Sequence, residues 1–183
     1  MRFYHGSTVE NLTMLEPVSR GGPARDVVYL TDNRAYCLFY IRDREIDYVT
    51  CGVRRVGIVQ YEEKFPGQLK EMYSGVSGWC YGVDAEAEPT RIPGIWGSRQ
   101  AAVVVDRTYI PDVYDAVRGE ISRGSVAFLR YEDLTAEPRS LNHQGIVRCF
   151  LTDSAMNPQR AAFFRKHFPE AWEEAQNILA QYR

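Results

Sequence analysis

The sequence predicts an α+β fold, and three observations carry that expectation. Short apolar strand patterns fill the first two thirds of the chain, helical periodicities are interspersed among them, and further helices gather at the C-terminus. That order favours segregated sheets and helices over the strict strand–helix alternation of a doubly wound fold. The chain has 183 residues, 45% hydrophobic and 25% charged, which is the balance of an ordinary globular domain. One domain over 1–183 is expected, with 139–183 as a helical C-terminal extension. Aromatic residues reach 13%, so apolar surface is sufficient for a packed core.

Arg2–Tyr4 reads as a first strand stopped by Gly6, and Pro17, Gly21, Gly22 and Pro23 mark the loop after it. Val27–Leu30 reads as the second strand. Thr31 or Asp32 is positioned to cap the next helix, whose buried side would hold Ala35, Leu38, Phe39 and Ile41. Tyr48–Val53 and Val56–Tyr61 alternate like a hairpin joined at Arg54-Arg55, an unusual turn pair. Pro66 is expected to open a short helix through Met72. Val76–Val83 reads as a strand interrupted by Gly78, and Asp84–Ser98 as an acidic, Pro- and Gly-rich loop. Ala101–Val105 is a continuous apolar run and reads as a buried strand. Pro111 opens a helix carrying Val113, Val117 and Ile121, which Gly124 ends. Ser125–Arg130 is the last strand, followed by helices over Gly145–Leu151, Gln159–His167 and Glu170–Tyr182.

No apolar stretch approaches the ~20 residues that span a bilayer, so no membrane partner is expected. Met1–Gly6 lacks the charged-then-apolar plan of a secretory leader. The four cysteines are dispersed without a C-x-x-C pair, which fits small buried thiols in a reducing cytoplasm. A net charge of −2 argues against a nucleic-acid polycation. Lys64, Lys70 and Lys166 are the only lysines, so arginine carries most of the positive charge.

The phosphate-loop, zinc-protease and nucleophile-elbow motifs are absent. Of the histidines, His143 and His167 read as surface residues. His5 ends a strand next to Gly6, a small residue that leaves backbone amide and carbonyl open to a ligand. Tyr29 ends the second strand, and Tyr36 and Tyr40 lie four residues apart on one helix face. Facing Tyr29, they would form an aromatic slot suited to a flat or cationic ring.

Tyr4-His5-Gly6-Ser7, then Val28-Tyr29-Leu30-Thr31-Asp32, then Tyr40 eleven residues after Tyr29, resemble the ADP-ribosyltransferases of the diphtheria-toxin and poly(ADP-ribose) polymerase branch. The run Phe3–Val83, with Gly75-Val76-Ser77-Gly78-Trp79, is more closely similar to a group of small uncharacterised bacterial proteins of this type. The resemblance implies one domain of short split antiparallel and mixed sheets with surrounding helices. It also implies that NAD is the substrate, and that ADP-ribose passes to an unknown acceptor (a protein, nucleic acid, small molecule or water) as nicotinamide leaves. It assigns NAD contacts to His5, Gly6, Ser7, Tyr29 and Tyr40, with Tyr36 as the alternative register. Arg20 or Arg25 would neutralise the pyrophosphate, and no metal is implied.

The family's third signature, an acidic residue at the start of a late strand, falls here on Gln100. Glutamine can position a ribose hydroxyl but adds no charge to stabilise an oxocarbenium ion. Glu86, Glu88 or Glu120 would have to supply the carboxylate, and spacing selects none of them. An inactive module that binds NAD, ADP-ribose or a protein is therefore the alternative. RNA 2′-phosphotransferases share the fold and consume NAD, but Tyr29 stands where they would carry a second histidine.

Overall fold

The computed structural model describes residues 1–18, 26–42, 51–152 and 158–181. Its elements run β1 (Phe3–Ser7), β2 (Met14–Leu15), β3 (Val28–Leu30), α1 (Arg34–Leu38), β4 (Cys51–Val53), β5 (Val59–Glu62), α2 (Gln68–Tyr73) and β6 (Gly78–Asp84). Then follow β7 (Glu88–Pro89), β8 (Trp96–Ser98), β9 (Ala102–Ile110), α3 (Val113–Ser122), β10 (Val126–Leu129), α4 (Ala136–Thr152), α5 (Pro158–His167) and α6 (Pro169–Ala180). Strands form three small sheets in the orders β1-β6-β9-β2, β10-β5-β4 and β3-β8-β7. The ladders β1–β6, β2–β9, β3–β8, β4–β5, β6–β9 and β7–β8 are antiparallel. The architecture is α+β. Among the described residues no helix is long and apolar enough to cross a membrane.

The chain falls into two compact units. The first carries the sheets with α1 and α3; the second takes Glu62–Gln68 and Leu129–Arg183, with α4–α6. In the first unit, β1 and β6 separate two apolar layers, because alternate residues of a strand face opposite sides. One layer holds Tyr36, Cys37, Leu38, Phe39, Ile41, Cys80, Val113 and Val117. The other holds Phe3, Leu15, Val28, Leu30, Tyr81, Val83 and Ala102.

Local chemistry explains most element ends. Asn33, rather than Thr31 or Asp32, caps α1: its Oδ1 accepts from the Tyr36 amide at 3.1 Å. Thr31 instead accepts from the Asn33 amide through Oγ1 and sets the turn before the helix. The hairpin between β4 and β5 closes with a bond from the Gly57 amide to the Arg54 carbonyl, and Gly57 sits at φ +79°. Glycine tolerates that left-handed backbone, so Arg-Arg need not make the turn alone. The predicted residues 48–50 of this hairpin lie outside the described residues. Asp112 caps α3, and the amides of Asp115 and Gly75 hold its carboxyl below the usual range.

Several expectations change. β1 runs through Gly6 to Ser7, β6 begins at Gly78, and α2 begins at Gln68, two residues after Pro66. The segment expected as a loop over 84–98 contains β7 and β8. β9 extends to Ile110 and is not buried on both faces: Val103 and Val105 are exposed while Ala102 is buried. α4 starts at Ala136, nine residues before the expected Gly145, because Pro138 falls in its first turn and costs no helical hydrogen bond there. In the helical unit, His167 is only partly exposed, because its ring stacks on Phe65 with centroids 3.8 Å apart. His143 is partly exposed and bonds Glu174 at 2.8 Å.

Candidate functional site

The two segments singled out by His5 and Tyr29 lie side by side. Tyr4 and Thr31 exchange backbone hydrogen bonds, Tyr4 N to Thr31 O at 2.7 Å and Thr31 N to Tyr4 O at 3.0 Å. The next bonded pair of such a ladder would be Gly6 with Tyr29. The His5 ring intervenes instead, its Nδ1 lying 3.1 Å from the Tyr29 carbonyl oxygen. A carbonyl only accepts, so Nδ1 carries a proton and donates it to this bond. β1 and β3 therefore part after a single bridge.

Gly6 follows where the ladder stops and, against the expectation of an open strand end, is buried. Since Tyr4 turns its amide and carbonyl away from β6, strand alternation gives Gly6 the same orientation. Among the described residues no backbone partner meets them there. The absent side chain has a separate cause. A Cβ on Gly6 would lie 2.3 Å from the Cys37 carbonyl oxygen and 3.1 Å from Ile41 Cγ1. Glycine is thus required for α1 to pack on β1. Behind this close approach Cys37 and Cys80 bring their Sγ atoms to 3.1 Å, and burial pushes the Cys37 thiol up, leaving it the donor.

The three tyrosines differ in role. Tyr36 is buried at 2% exposure within the core, and burial followed by the Tyr40 hydrogen bond raises its hydroxyl well above the ordinary range. Tyr40 and Tyr29 are half-buried at the margin of the same core cluster. Tyr40 Oη donates to Tyr36 Oη at 3.1 Å, and the rings meet edge to face at 5.3 Å. Tyr36 thus holds Tyr40 in place, and Arg42 lies 5.6 Å from the Tyr40 ring centre. Tyr29 and Tyr40 are therefore partly exposed, whereas Tyr36 is almost fully enclosed.

The remaining candidates are dispersed. Ser7 is buried, and its Oγ accepts from the Val9 amide at 3.1 Å, closing the turn after β1. Gln100 is exposed between β8 and β9; its amide and carbonyl both bond Ser98 Oγ, at 3.2 and 2.9 Å. Arg20 and Arg25 lie outside the described residues. Glu120 is buried and committed to structure. Burial pushes its carboxyl up, but Arg123 at 2.7 Å, Ser125 and Arg34 outweigh that and hold it below the usual carboxylate range.

Sheet register separates the other two carboxylates, a distinction spacing alone could not supply. Gly97 on β8 opposes Tyr29 on β3 and, on its other side, Glu88 on β7. Directly opposed residues project to one face of a sheet. Glu88 therefore shares the face of Tyr29, two strand spacings or ~10 Å away. The glycine between them leaves that row open: a Cβ there would touch nothing closer than Thr90 Cγ2 at 3.5 Å. Glu86 belongs to neither strand. Among the described residues no group of three or more His, Cys, Asp or Glu side chains is arranged to hold a metal ion.

Comparison with known proteins adds no family: no family model, curated protein or solved structure matches the chain.

Proposed function

We propose that the protein binds NAD in the gap between β1 and β3 and transfers its ADP-ribose to an acceptor, releasing nicotinamide. One observation carries the reading: the His5 ring takes the Tyr29 carbonyl, so the β1–β3 ladder stops after one bridge and the Gly6 amide and carbonyl, turned away from β6, meet no backbone partner among the described residues, while Tyr29 and Tyr40 lie partly exposed at the margin of one core cluster. A carboxamide needs one donor and one acceptor side by side, and Gly6 offers both. The nicotinamide ring in NAD is flat and cationic, and tyrosine faces favour such a ring. His5, as the neutral ring with its proton on Nδ1, would accept from a ribose hydroxyl.

The chemistry breaks the bond between nicotinamide nitrogen and the ribose anomeric carbon. Nicotinamide leaves neutral with the bonding pair, positive charge spreads over the anomeric carbon and ring oxygen, and an acceptor oxygen or nitrogen forms the new bond while losing its proton. Stabilising that charge calls for a carboxylate. Glu88 is our assignment, because it shares the face of Tyr29 while Glu120 is already paired. Gln100 keeps the positioning role its place before β9 suggests. Its neutrality favours a second reading, a module that holds NAD without turnover.

Calorimetric titration with NAD and a nicotinamide-release assay test the proposal together. Native protein is expected to bind NAD and release nicotinamide; binding without release supports the module, and no binding removes both. Tyr29→Ala and Tyr40→Ala are each expected to weaken NAD binding by ~1–2 kcal/mol, the scale of one aromatic ring packed on another with its buried area. Tyr36→Ala is expected to lower the melting temperature most, because a fully buried aromatic truncated to alanine costs ~3–5 kcal/mol. Melts of each variant separate these effects. A silent Tyr40→Ala beside normal NAD binding by native protein would place the ring elsewhere.

A further inference from the structure

A second concave site lies at the start of α1. A cavity of about 600 Å³ is lined by Tyr4, Asp32, Arg34, Arg54, Arg55 and Gly94, among others. That volume falls in the usual range for small-molecule sites, ~300–1,000 Å³. Its walls are tied together. The Asn33 side-chain amide donates to the Gly57 carbonyl at 2.7 Å, joining the α1 cap to the tip of the β4–β5 hairpin. The Arg54 amide bonds the Ile58 carbonyl at 2.8 Å and fixes the base of that tip. Gly94, at φ +75°, lies so close to Val53 that a Cβ would fall 2.4 Å from Val53 Cγ2, so the opposite wall packs directly on the hairpin.

The charges do not balance. Among the described residues, three arginines line the cavity against one acidic residue, Asp32. Arg34 lies at a long 3.9 Å from Glu120, whose nearer partner is Arg123 at 2.7 Å. Among the described residues neither Arg54 nor Arg55 makes an ion pair. Arginines on a surface usually meet acidic neighbours or face open solvent singly. Two adjacent arginines lining one concavity together with a third can receive a multiply charged anion, and their planar forks match phosphate oxygens. The size exceeds what one phosphate needs, and Tyr4 contributes an aromatic wall.

We propose that this cavity binds the phosphates of a nucleotide-sized ligand, with Arg34, Arg54 and Arg55 as the phosphate-binding groups. The assignment stands on the arginines and the cavity, and does not depend on NAD occupying the gap beside Gly6.

Titrations of the full chain with ADP, inorganic pyrophosphate and adenosine test it. ADP and pyrophosphate are expected to bind, with adenosine much weaker. Arg54→Ala/Arg55→Ala is expected to weaken ADP about 100-fold, at roughly tenfold for each charge-assisted hydrogen bond removed. Added salt should weaken ADP in the native protein and much less in the double variant. Arg118→Ala/Arg148→Ala removes the same charge elsewhere on the exposed surface and should leave ADP affinity unchanged. Failure of ADP and pyrophosphate to bind would overturn the proposal. So would equal weakening in both double variants, since that means attraction to overall charge, or adenosine binding as tightly as ADP. Competition of ADP with NAD would assign the phosphates to the dinucleotide itself; simultaneous binding would assign them to a separate phosphorylated ligand. NAD failing to bind while ADP does would remove the transferase reading and keep this one.

Discussion

Glu88→Gln is expected to lower nicotinamide release by ~10²–10³-fold, the usual effect of removing one group that stabilises transition-state charge. NAD affinity should change little, because the charge appears only as the glycosidic bond breaks and the ground state gains nothing from the carboxylate. The substitution keeps shape and hydrogen-bonding capacity, so folding should hold. Its motive is the row Glu88–Gly97–Tyr29, in which a glycine separates the carboxylate from the tyrosine on one sheet face. Gln100→Glu is the reciprocal experiment. If Gln100 occupies the charge-stabilising position, the new carboxylate should raise turnover, less so if Arg99 draws it away. A large drop in Glu88→Gln with little change in Gln100→Glu assigns the charge to β7. The opposite pattern moves it to the β8–β9 turn. A native rate unaffected by either substitution would leave the charge to another group and refute the β7 assignment.

Part of this site is legible in the residues alone. Val27–Leu30 and Arg2–Tyr4 announce short strands, although β1 runs on to Ser7; Ala35, Leu38, Phe39 and Ile41 are readable as buried from their helical spacing, although α1 itself ends at Leu38 and the last two lie in the turn after it. The eleven-residue interval points to Tyr40 over Tyr36, and burial separates them for a reason spacing cannot carry. Both tyrosines face one way, but only the structure shows which one the core closes over. β7 and β8 are hidden because strands of two and three residues, one containing Pro89 and one Gly97, have no period of their own. They exist through pairing, β8 with β3 and β7 with β8, which is a tertiary fact. β9 misleads in the opposite sense. Its valines form an unbroken apolar run, yet Val103 and Val105 face out, since a strand with one covered face can carry β-branched residues on both. Asn33 does not stand out as the cap because Thr31 and Asp32 are equally good cap residues by composition. The arginine cavity is half visible: Arg54 and Arg55 stand out as a poor turn pair, but their sharing one cavity with Arg34 needs the hairpin tip tied to the α1 cap.

Gly6→Ala is expected to destabilise the first unit by about 3 kcal/mol, the upper end of ordinary overpacking costs. The reason lies in what blocks the new methyl group. A flexible side chain can swing aside, but the obstacle at 2.3 Å is the Cys37 backbone carbonyl, held within α1, with Ile41 Cγ1 behind it at 3.1 Å. Relief requires α1 to move away from β1, and that opens the core cluster containing Cys37, Ile41 and Cys80. For a chain of this size the melting temperature should fall by roughly 6–12 °C. Gly52→Ala is the matched control: it lies on β4 with nothing among the described residues within 4 Å of its ideal Cβ, so its melt should stay within about 2–4 °C of native. Equal melts for Gly6→Ala and native protein would show that α1 yields easily and that the close approach is not what requires glycine. The same geometry decides how weakened binding at this position must be read. A Gly6→Ala variant that no longer takes NAD has given up the placement of α1, and with it Tyr40, before it has given up any hydrogen bond from its own backbone. Tests of the nicotinamide site therefore belong on Tyr29 and Tyr40, whose rings can be removed without driving the helix off the strand.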